Sequence, residues 1–396
     1  MRTVRYAIVR TLAAAIALVV PVLLGVTPAY AASWQIVASP NPTGNDGFST
    51  LTAISASNLW AVGSATSLSS SSATLIAHYT GTSWQVVPSP NPAGGRYDNL
   101  TGVSATSASD IWSVGMEFVN SSHSFPIIEH YNGSAWSLVT SAQPTQVGDL
   151  EAVAALTPAN VWAVGNGHTA TGVNAPMVQH YNGTSWTEVP TSFTTAGILS
   201  AVTAVSASDV WAVGSRPVTT GVGRSGLAMH YDGTNWTASA LPAPNVPVNG
   251  EWELSAISAD SANDVWATGF VSNADGLVEH AIVEHFNGTS WSLTQAPDLG
   301  PNYPINTFNT VLALSPGNVW AIGQSATGNT TKPFATLVEH FNGTSWTIQP
   351  APANGGNNVL SFDGLVTTGS GTLWSVGSRN PSGTSVWQTL TARYSR

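Results

Sequence analysis

The stretch VWAVG at residues 161–165, followed by HYNGTSW at residues 180–186, is the third of seven copies of one pattern. The Trp at the centre of the first signature recurs at Trp60, Trp112, Trp162, Trp211, Trp266, Trp320 and Trp374, with spacings of 52, 50, 49, 55, 54 and 54 residues. A sustained period of this length is typical of propellers and other repeat arrays. We therefore interpret the chain as seven repeats of one structural unit.

Each repeat divides into four strand-sized segments. In the second repeat they are residues 100–106, 111–114, 126–131 and 135–139, and Asn132-Gly133 joins the last two. Asn-Gly between two β-like segments is a strong hairpin signal, because the turn it favours needs a positive φ at both central residues. Four antiparallel strands repeated around an axis form a propeller blade. The sequence predicts an all-β, seven-bladed β-propeller with four antiparallel strands per blade.

The two ends of the repeat array complement each other. The last repeat stops at residues 391–394, in the position of a third strand, and lacks the fourth strand. The segment SWQIV at residues 33–37 closely matches SWQVV at residues 83–87, which is a fourth strand. We expect residues 33–38 to complete the last blade and close the ring, which removes the exposed sheet edges of an open array.

The first 31 residues have the pattern of a secretory signal peptide. Three Arg in the first ten residues precede a mostly apolar segment at residues 11–26, and Ala29-Tyr30-Ala31 is an A-x-A cleavage signal. The alternative is a transmembrane anchor, but the apolar segment is short and Pro21 interrupts it. We predict a signal peptide at residues 1–31, a propeller domain at residues 32–396, and a secreted protein.

The predicted mature chain is strongly acidic. All 20 acidic residues but only seven of the ten basic residues lie after residue 31, so the net charge is 7 − 20 = −13. A chain with this charge and one Lys cannot neutralise a phosphate backbone, which excludes nucleic acid as a partner and disfavours anionic membranes. The chain has no Cys, so packing rather than disulfides must stabilise it. We expect a monomer without a cofactor.

The other recurring residues are expected to be structural. Both Trp series should pack between blades, although a sugar-stacking platform is the alternative for each. Equivalent His in neighbouring blades lie too far apart to share a metal ion, so we expect each to make a structural hydrogen bond; they are His78, His130, His180, His230, His285 and His340. The Asn or Asp two residues before the second-strand Trp is expected to cap a turn. Asn-Gly-Ser/Thr also matches a glycosylation sequon, but the hairpin needs Asn-Gly in any case.

The VWAVG strand followed by HYNGTSW resembles the secreted bacterial propeller repeats that are loosely grouped with kelch and BNR-type, sialidase-like sequences. The resemblance covers the whole predicted mature chain and implies the propeller fold. Neither the S-x-D-x-G-x-x-W box of BNR repeats nor the Gly-Gly pair of kelch repeats is present. The resemblance therefore implies no particular activity.

Residues that depart from the repeat are the candidate ligand-binding residues. They precede or begin the inner strands, on the face where propellers usually bind ligands, and are Arg96, Tyr97, Asp98, Asp149, Glu151, Glu251, Trp252, Glu253, Tyr303 and Asp363. One repeat position reads Thr52, Thr101, Glu151, Ser200, Ser255, Asn309 and Asp363, so two carboxylates replace small polar side chains near the channel mouth. Loops between second and third strands add Arg216, Arg224, Lys332, Arg379, His123 and His168 on the same face.

Aromatic rings beside carboxylates are typical of carbohydrate sites, because the rings stack on sugars and the carboxylates accept hydrogen bonds from hydroxyls. Carboxylates from several loops also suit Ca²⁺, which takes about six to eight oxygen ligands. We expect a non-catalytic binding propeller that recognises an extracellular glycan or protein surface. The alternative is a glycoside hydrolase or lyase that pairs Asp149 or Glu151 with Glu251, Glu253 or Asp363.

Overall fold

The computed structural model describes residues 32–67, 71–93, 96–120, 123–142, 147–168, 173–193, 196–218, 223–326, 334–353, 359–369, 371–381 and 384–395. The predicted signal peptide, residues 1–31, lies outside the described residues, and so does Lys332. No helix in the described part of the chain is long and apolar enough to cross a membrane.

The described residues form 28 β-strands and no helix. In chain order the strands are β1 (Ser33–Val37), β2 (Asp46–Ser55), β3 (Asn58–Thr66), β4 (Ser72–Tyr79), β5 (Trp84–Val87), β6 (Tyr97–Ser107), β7 (Asp110–Asn120), β8 (His123–Tyr131), β9 (Trp136–Leu138), β10 (Gly148–Thr157), β11 (Asn160–His168), β12 (Asn174–Tyr181), β13 (Trp186–Glu188), β14 (Ile198–Ser206), β15 (Asp209–Pro217), β16 (Arg224–Tyr231), β17 (Trp236–Ser239), β18 (Glu251–Ser261), β19 (Asp264–Ser272), β20 (Glu279–Phe286), β21 (Trp291–Gln295), β22 (Ile305–Ser315), β23 (Asn318–Ala326), β24 (Phe334–Phe341), β25 (Trp346–Ile348), β26 (Val359–Thr367), β27 (Leu373–Asn380) and β28 (Gln388–Ser395).

Each repeat forms a four-stranded antiparallel sheet in sequence order, as the third repeat shows with β10, β11, β12 and β13. Two pairs of neighbouring sheets are also joined by a single parallel bridge at their strand ends, Ser72 with Tyr97 and Glu279 with Ile305. The inner strand is the first strand of each repeat, namely β2, β6, β10, β14, β18, β22 and β26. The inner strands of consecutive repeats contact one another, and β26 contacts β2. The chain is therefore an all-β propeller, as predicted.

The N-terminal strand completes the sheet of the last repeat. β1 pairs antiparallel with β28, and this sheet has the order β1-β28-β27-β26. The strand ends at Val37, one residue before the predicted end, and Val37 O accepts a hydrogen bond from Thr391 Oγ1 at 2.8 Å. The Trp34 ring lies 5.4 Å from Tyr394 and 6.4 Å from Phe362, measured between ring centroids.

The hydrophobic core lies between adjacent repeats. In the first repeat, the Trp60 ring centroid is 4.8 Å from Tyr131 and 5.7 Å from Trp136, both in the second repeat. The last and first repeats meet in the same way, with Trp374 6.1 Å from Trp84. Because all 14 Trp of the two series are buried, neither series offers a ring face to a sugar, and the sugar-stacking alternative is wrong for both.

The recurring His is a structural residue, as predicted. In the first repeat His78 stacks on Trp60 at 4.1 Å, and His78 Nε2 is 2.9 Å from Asn58 Oδ1. The same Asn58 oxygen accepts a hydrogen bond from Trp60 Nε1 at 3.0 Å. The Asn or Asp before the Trp is hydrogen-bonded to the His in the first six repeats, rather than capping the backbone as expected. It also accepts a hydrogen bond from the Trp Nε1 in the first, fifth and sixth repeats. In the seventh repeat Arg393 replaces His and lies over Trp374 at 5.9 Å.

The Asn-Gly hairpins differ from the predicted turn. Gly133 has a φ of 92°, but Asn132 is not among the residues with positive φ. Asn132 Oδ1 instead accepts hydrogen bonds from the backbone N–H groups of Ser134 and Ala135, at 3.0 and 3.1 Å. The Asn side chain thus closes a side-chain-to-backbone turn, as Asp232 does in the fourth repeat, and Gly takes the left-handed conformation.

A β-bulge interrupts every inner strand at the same place. The bulged residues are Ser49, Thr101, Glu151, Ser200, Ser255, Asn309 and Asp363. The equivalent residue in the first repeat is therefore Ser49, and the alignment of Thr52 with this position was wrong. The Gly that ends each signature lies opposite the bulge: a Cβ on Gly115 would be 1.9 Å from the Asn99 carbonyl oxygen. This close backbone approach explains why the signature ends in Gly.

We predict that the contact made by the N-terminal strand is a main source of stability. Trp34→Ala should lower the free energy of unfolding by about 3–5 kcal/mol, because it opens a cavity against Tyr394 and Phe362. Ile36→Ala, at an exposed position on the same strand, should change it by less than about 0.5 kcal/mol. Urea denaturation followed by Trp fluorescence measures both variants, and equal effects would contradict the assigned role of Trp34.

Candidate functional site

A cavity of about 540 Å³ is lined by the inner strands of all seven repeats. All seven bulged residues line it, and five of them are neutral Ser, Thr or Asn. Glu151 and Asp363 are the two exceptions. Because a bulge turns its extra residue out of the ladder, the same irregularity in every repeat directs one side chain toward this axial cavity.

Three bulged side chains donate hydrogen bonds to the next repeat. Thr101 Oγ1 donates to Leu150 O at 2.7 Å and Ser255 Oγ to Phe308 O at 2.9 Å. Asn309 Nδ2 donates to Phe362 O at 3.1 Å. In each case the acceptor is the residue just before the bulge of the next repeat. An ionised carboxylate has no proton to donate, so Glu151 and Asp363 cannot make this bond in their charged forms.

Asp363 is held by two neutral donors. Ser361 Oγ donates to Asp363 Oδ1 at 3.0 Å, and Asn309 Nδ2 donates to the same oxygen at 2.9 Å. Burial raises the pKa of Asp363 to about 6, although both hydrogen bonds act to lower it. The carboxyl group therefore has a fixed position on the channel wall and titrates near neutral pH.

Glu151 and Asp149 are two neighbouring acidic residues on β10. Burial, and to a lesser extent the nearby Asp149 carboxylate, raises the pKa of Glu151 to about 7. Burial also raises the pKa of Asp149 to about 6, against the lowering effects of Asn166 and His168. Asn166 Nδ2 donates to Asp149 Oδ1. Asp149 is thus engaged with its own sheet, whereas Glu151 lines the cavity.

The predicted residues of the second repeat do not line the axial cavity. Arg96 and Tyr97 are exposed, whereas Asp98 is buried. Burial, and to a lesser extent the Glu117 carboxylate, raises the pKa of Asp98 to about 6. Asp98 is therefore buried and is not among the residues that line the axial cavity.

The predicted residues of the fifth and sixth repeats also lie apart from the axial cavity. Glu253 Oε2 is 3.8 Å from Arg224 Nε and accepts a hydrogen bond from Ser215 Oγ at 3.3 Å. Trp252 is only 5% exposed, packs in the core between the fourth and fifth repeats and does not line the axial cavity. Glu251 is partly buried at the start of β18. Tyr303 is half-buried, in a turn that its N–H closes with Gly300 O.

The strand register brings three chain segments together at one edge of each sheet, by which we mean the end where the strands start or stop. They are the start of the inner strand, the end of the second strand and the start of the third strand. Tyr97 pairs with Phe118, and Phe118 pairs with Ser124. Three exposed aromatic residues at this edge were not singled out from the sequence: Phe118, Phe334 and Trp387. They lie at the end of a second strand or at the start of a third strand, where only charged residues and His had been considered. The sequence did contain a signal for them, namely aromatic residues at loop positions that vary between repeats.

Three buried glutamates were also not singled out, although each stands directly before a repeat His. Ser89 Oγ donates to both oxygens of Glu129 at 3.1 Å. Ser89 lies five residues after the outer-strand Trp of the preceding repeat. The equivalent residue is Leu241 in the repeat before Glu284 and Ala296 in the repeat before Glu339, and neither side chain has a donor. Both oxygens of each of these two glutamates are buried and lack a hydrogen-bond partner. Burial raises the pKa of Glu284 and of Glu339 to about 8.

Within the described ranges, no group of three or more His, Asp or Glu side chains is arranged to hold a metal ion. The carboxylates proposed as Ca²⁺ ligands are distributed instead. Glu151 and Asp363 belong to different repeats, and Glu253 pairs with Arg224.

No protein-family model matches the chain, and no curated protein matches it in sequence. Among solved structures, the chain is similar to YCF48 from Cyanidioschyzon merolae, with a TM-score of 0.52, 13% identity and coverage of 92% of this chain and 99% of that chain. It is also similar to YCF48 bound to D1 peptide, with a TM-score of 0.53, 13% identity and coverage of 92% and 95%. The polysaccharide lyase Uly1 has a TM-score of 0.53, 10% identity and coverage of 89% and 90%. These similarities support the propeller fold, and the kelch and BNR resemblance stays a prediction.

We predict that Glu284 and Glu339 make stability fall as the pH rises. Their folded-state pKa of about 8 lies above the ordinary value of 4.5. Their contribution to the free energy of unfolding is therefore fully present below pH 4.5 and is lost as the pH rises through about 8. Glu339→Gln should make the decrease in melting temperature between pH 5 and pH 9 smaller. Ala296→Ser should also make this decrease smaller, because it gives Glu339 the hydroxyl donor that Ser89 gives Glu129.

Glu188→Gln, at an exposed outer-strand position, is the matched control and should leave the pH profile unchanged. Melting temperatures measured by differential scanning calorimetry across this pH range test all three variants. An unchanged slope for Glu339→Gln would show that this carboxyl does not titrate as described.

Proposed function

We propose that this protein is a secreted, seven-bladed propeller that binds an extracellular glycan or protein surface, without catalysis, at the face where Glu151 and Asp363 line the axial cavity. The observation that carries this proposal is the cavity itself, which combines five small neutral polar side chains with two carboxylates. Such a wall offers both donors and acceptors to a hydroxyl-rich ligand.

Seven blades are supported by the 28 strands and by the contacts between inner strands, which run from β2 through every repeat to β26 and back to β2. The predicted signal peptide supports secretion. The fold accommodates more than one kind of ligand, since one similar structure is YCF48 bound to a peptide and another is a polysaccharide lyase.

A glycan is favoured over a protein surface by exposed aromatic residues at the strand ends where the inner strands begin. Trp387 is 38% exposed, and its backbone N–H donates to Asn45 Oδ1 at 2.8 Å, in the segment that leads into β2. Tyr97 and Phe118 are exposed cross-strand neighbours at the same edge of the second repeat. Exposed ring faces beside acceptor groups are the usual components of a sugar site.

A glycan array tests the binding function. Wild type should bind a subset of glycans, and Trp387→Ala and Glu151→Gln should each weaken the strongest signal at least tenfold, because one removes a stacking ring and the other an acceptor charge. The matched controls are Trp252→Phe, at a buried ring, and Glu188→Gln, at an exposed carboxylate outside the cavity. If no glycan binds the wild type, or all four variants bind equally, the glycan assignment is wrong.

A glycoside hydrolase or lyase is the second candidate, and one observation favours it. Glu151 and Asp363 line one cavity, and burial raises their pKa values to about 7 and about 6, which suits a general acid near neutral pH. Glu251 and Glu253 do not line this cavity, so they do not supply a partner. Release of reducing or unsaturated sugar ends from an array-positive glycan, abolished by Glu151→Gln, would replace the binding proposal with this one.

Secretion has its own test. Expression of the full chain in a bacterial host with a general secretory pathway should release a protein into the medium or periplasm whose N-terminal residue is Ala32, because cleavage should follow the A-x-A sequence. Ala31→Gln should block this cleavage, and Ala15→Ser, within the apolar segment, should not. A secreted protein that retains Met1 would contradict the predicted signal peptide.

A further inference from the structure

The wall of the axial cavity carries acidic side chains and no basic ones. Glu151 and Asp363 line it, and none of the described residues that line it is Lys, Arg or His. Arg379 directly follows the lining residue Ser378, but its Nε donates to Gln388 Oε1 at 3.1 Å. The two carboxylates therefore have no basic side chain beside them on the cavity wall.

The two carboxylates belong to repeats that are far apart in the ring. Glu151 lies in the third repeat and Asp363 in the seventh, and the inner strands contact one another in chain order, with β26 returning to β2. From the seventh repeat, the third is reached in three steps through the first and second, or in four steps the other way. No two of seven repeats are further apart, so the carboxylates face the cavity from opposite sides and are not a single acidic cluster.

Two of the neutral bulged side chains have already used their donor group. The Thr101 hydroxyl donates to Leu150 O at 2.7 Å, and the Ser255 hydroxyl donates to Phe308 O at 2.9 Å. A hydroxyl has one proton and two lone pairs. Each of these oxygens can therefore only accept a hydrogen bond from a ligand in the cavity.

The Asn309 amide is in the same condition. Its Nδ2 donates to Phe362 O at 3.1 Å and to Asp363 Oδ1 at 2.9 Å, which uses both N–H donors and leaves the carbonyl oxygen. With the two carboxylates in their ionised forms, five of the seven bulged side chains offer acceptors alone. The other two, whose hydroxyls can both donate and accept, are Ser49 and Ser200.

A wall of acceptors with negative charge selects a ligand that is rich in donors. A primary ammonium has three N–H donors, no acceptor and a positive charge, and its hydrogen bonds to carboxylates are stronger than those between neutral groups. A sugar hydroxyl complements this wall less well, because its own oxygen is an acceptor too. A ligand with carboxylates or sulfates is repelled. The cavity therefore favours a ligand that carries primary amines.

The size of the cavity favours an amino sugar over a Lys side chain as the source of the amine. Its volume of about 540 Å³ lies in the range of about 300–1,000 Å³ that is typical of small-ligand sites, and a four-carbon Lys side chain fills only part of it. Carboxylates on opposite sides also suit a ligand with more than one amine. The aromatic residue in the wall, Phe48, is only 2% exposed, so charge and hydrogen bonds rather than stacking must select the ligand here.

We propose that the axial cavity binds glycans with unacetylated amino sugars, whose protonated amines pair with Glu151 and Asp363. This inference rests on the proposed glycan function and names the class of sugar. Burial raises the pKa of Glu151 to about 7 and that of Asp363 to about 6. A bound ammonium supplies the positive charge that lowers both pKa values.

Isothermal titration calorimetry of the purified protein at neutral pH tests this inference with two ligands that share one backbone. They are the tetramer of β-1,4-linked glucosamine and its fully N-acetylated form. The glucosamine tetramer should bind at least tenfold more tightly, and the preference should shrink at high salt, because salt screens the ion pairs. Glu151→Gln and Asp363→Asn should each weaken binding of the glucosamine tetramer at least tenfold and change binding of the N-acetylated tetramer less than twofold.

The matched controls are Glu188→Gln and Asp260→Asn, at exposed positions outside the cavity, and both should bind as the wild type does. Melting temperatures show whether each variant is folded. The comparison of the two tetramers on the wild type depends on no variant, so it decides the question even if Asp363→Asn does not fold.

The possible failures separate this inference from the proposed function. If the N-acetylated tetramer, or a tetramer of galacturonic acid, binds as tightly as the glucosamine tetramer, the amino-sugar assignment is wrong and the glycan function stands. If no sugar binds, both are wrong. Binding of a Lys-rich peptide in place of every sugar would likewise overturn both and make the ligand a protein.

Discussion

The rest of the structure depends on the packing of each second-strand Trp against the next repeat. Trp60 is buried between its own His78 and the Tyr131–Trp136 pair of the neighbouring sheet. Each aromatic contact of this kind buries on the order of 150–250 Å², and the arrangement recurs between successive repeats. No disulfide assists it, since the chain has no Cys. Cohesion between sheets therefore comes mainly from one repeated apolar contact.

This repeated packing fixes the backbone, and the backbone in turn determines where variable side chains point. The bulge in each inner strand needs the Gly at the end of the signature, because any Cβ there would meet a carbonyl oxygen. One bulged side chain per repeat then faces the axial cavity, and most are small polar groups. Glu151 and Asp363 occupy two of these positions without altering the frame, so the side chains that face the cavity can vary while the fold stays constant.

Much of the fold was predictable because the residues that define the repeat act within their own strand or turn. The Trp signature, the strand lengths and the match between residues 33–37 and 83–87 correctly predicted a propeller in which the N-terminal strand pairs with the last repeat. Two local details were not predictable from spacing. The bulge shifted the alignment of the first repeat from Thr52 to Ser49, and Asn132 uses its side chain rather than a positive φ in the hairpin.

The sequence alone determined the repeat, the strand order and the candidate role of Glu151 and Asp363, because each follows from a position counted within one repeat. Tertiary structure alone decided which of the departures from the repeat are accessible. Trp252 is buried and Trp387 is exposed, although both are Trp outside the repeated series. Likewise Glu129 has a hydroxyl partner and Glu339 has none. The physical reason is that burial and hydrogen bonding depend on residues of the neighbouring repeat, which lie tens of positions away in the chain.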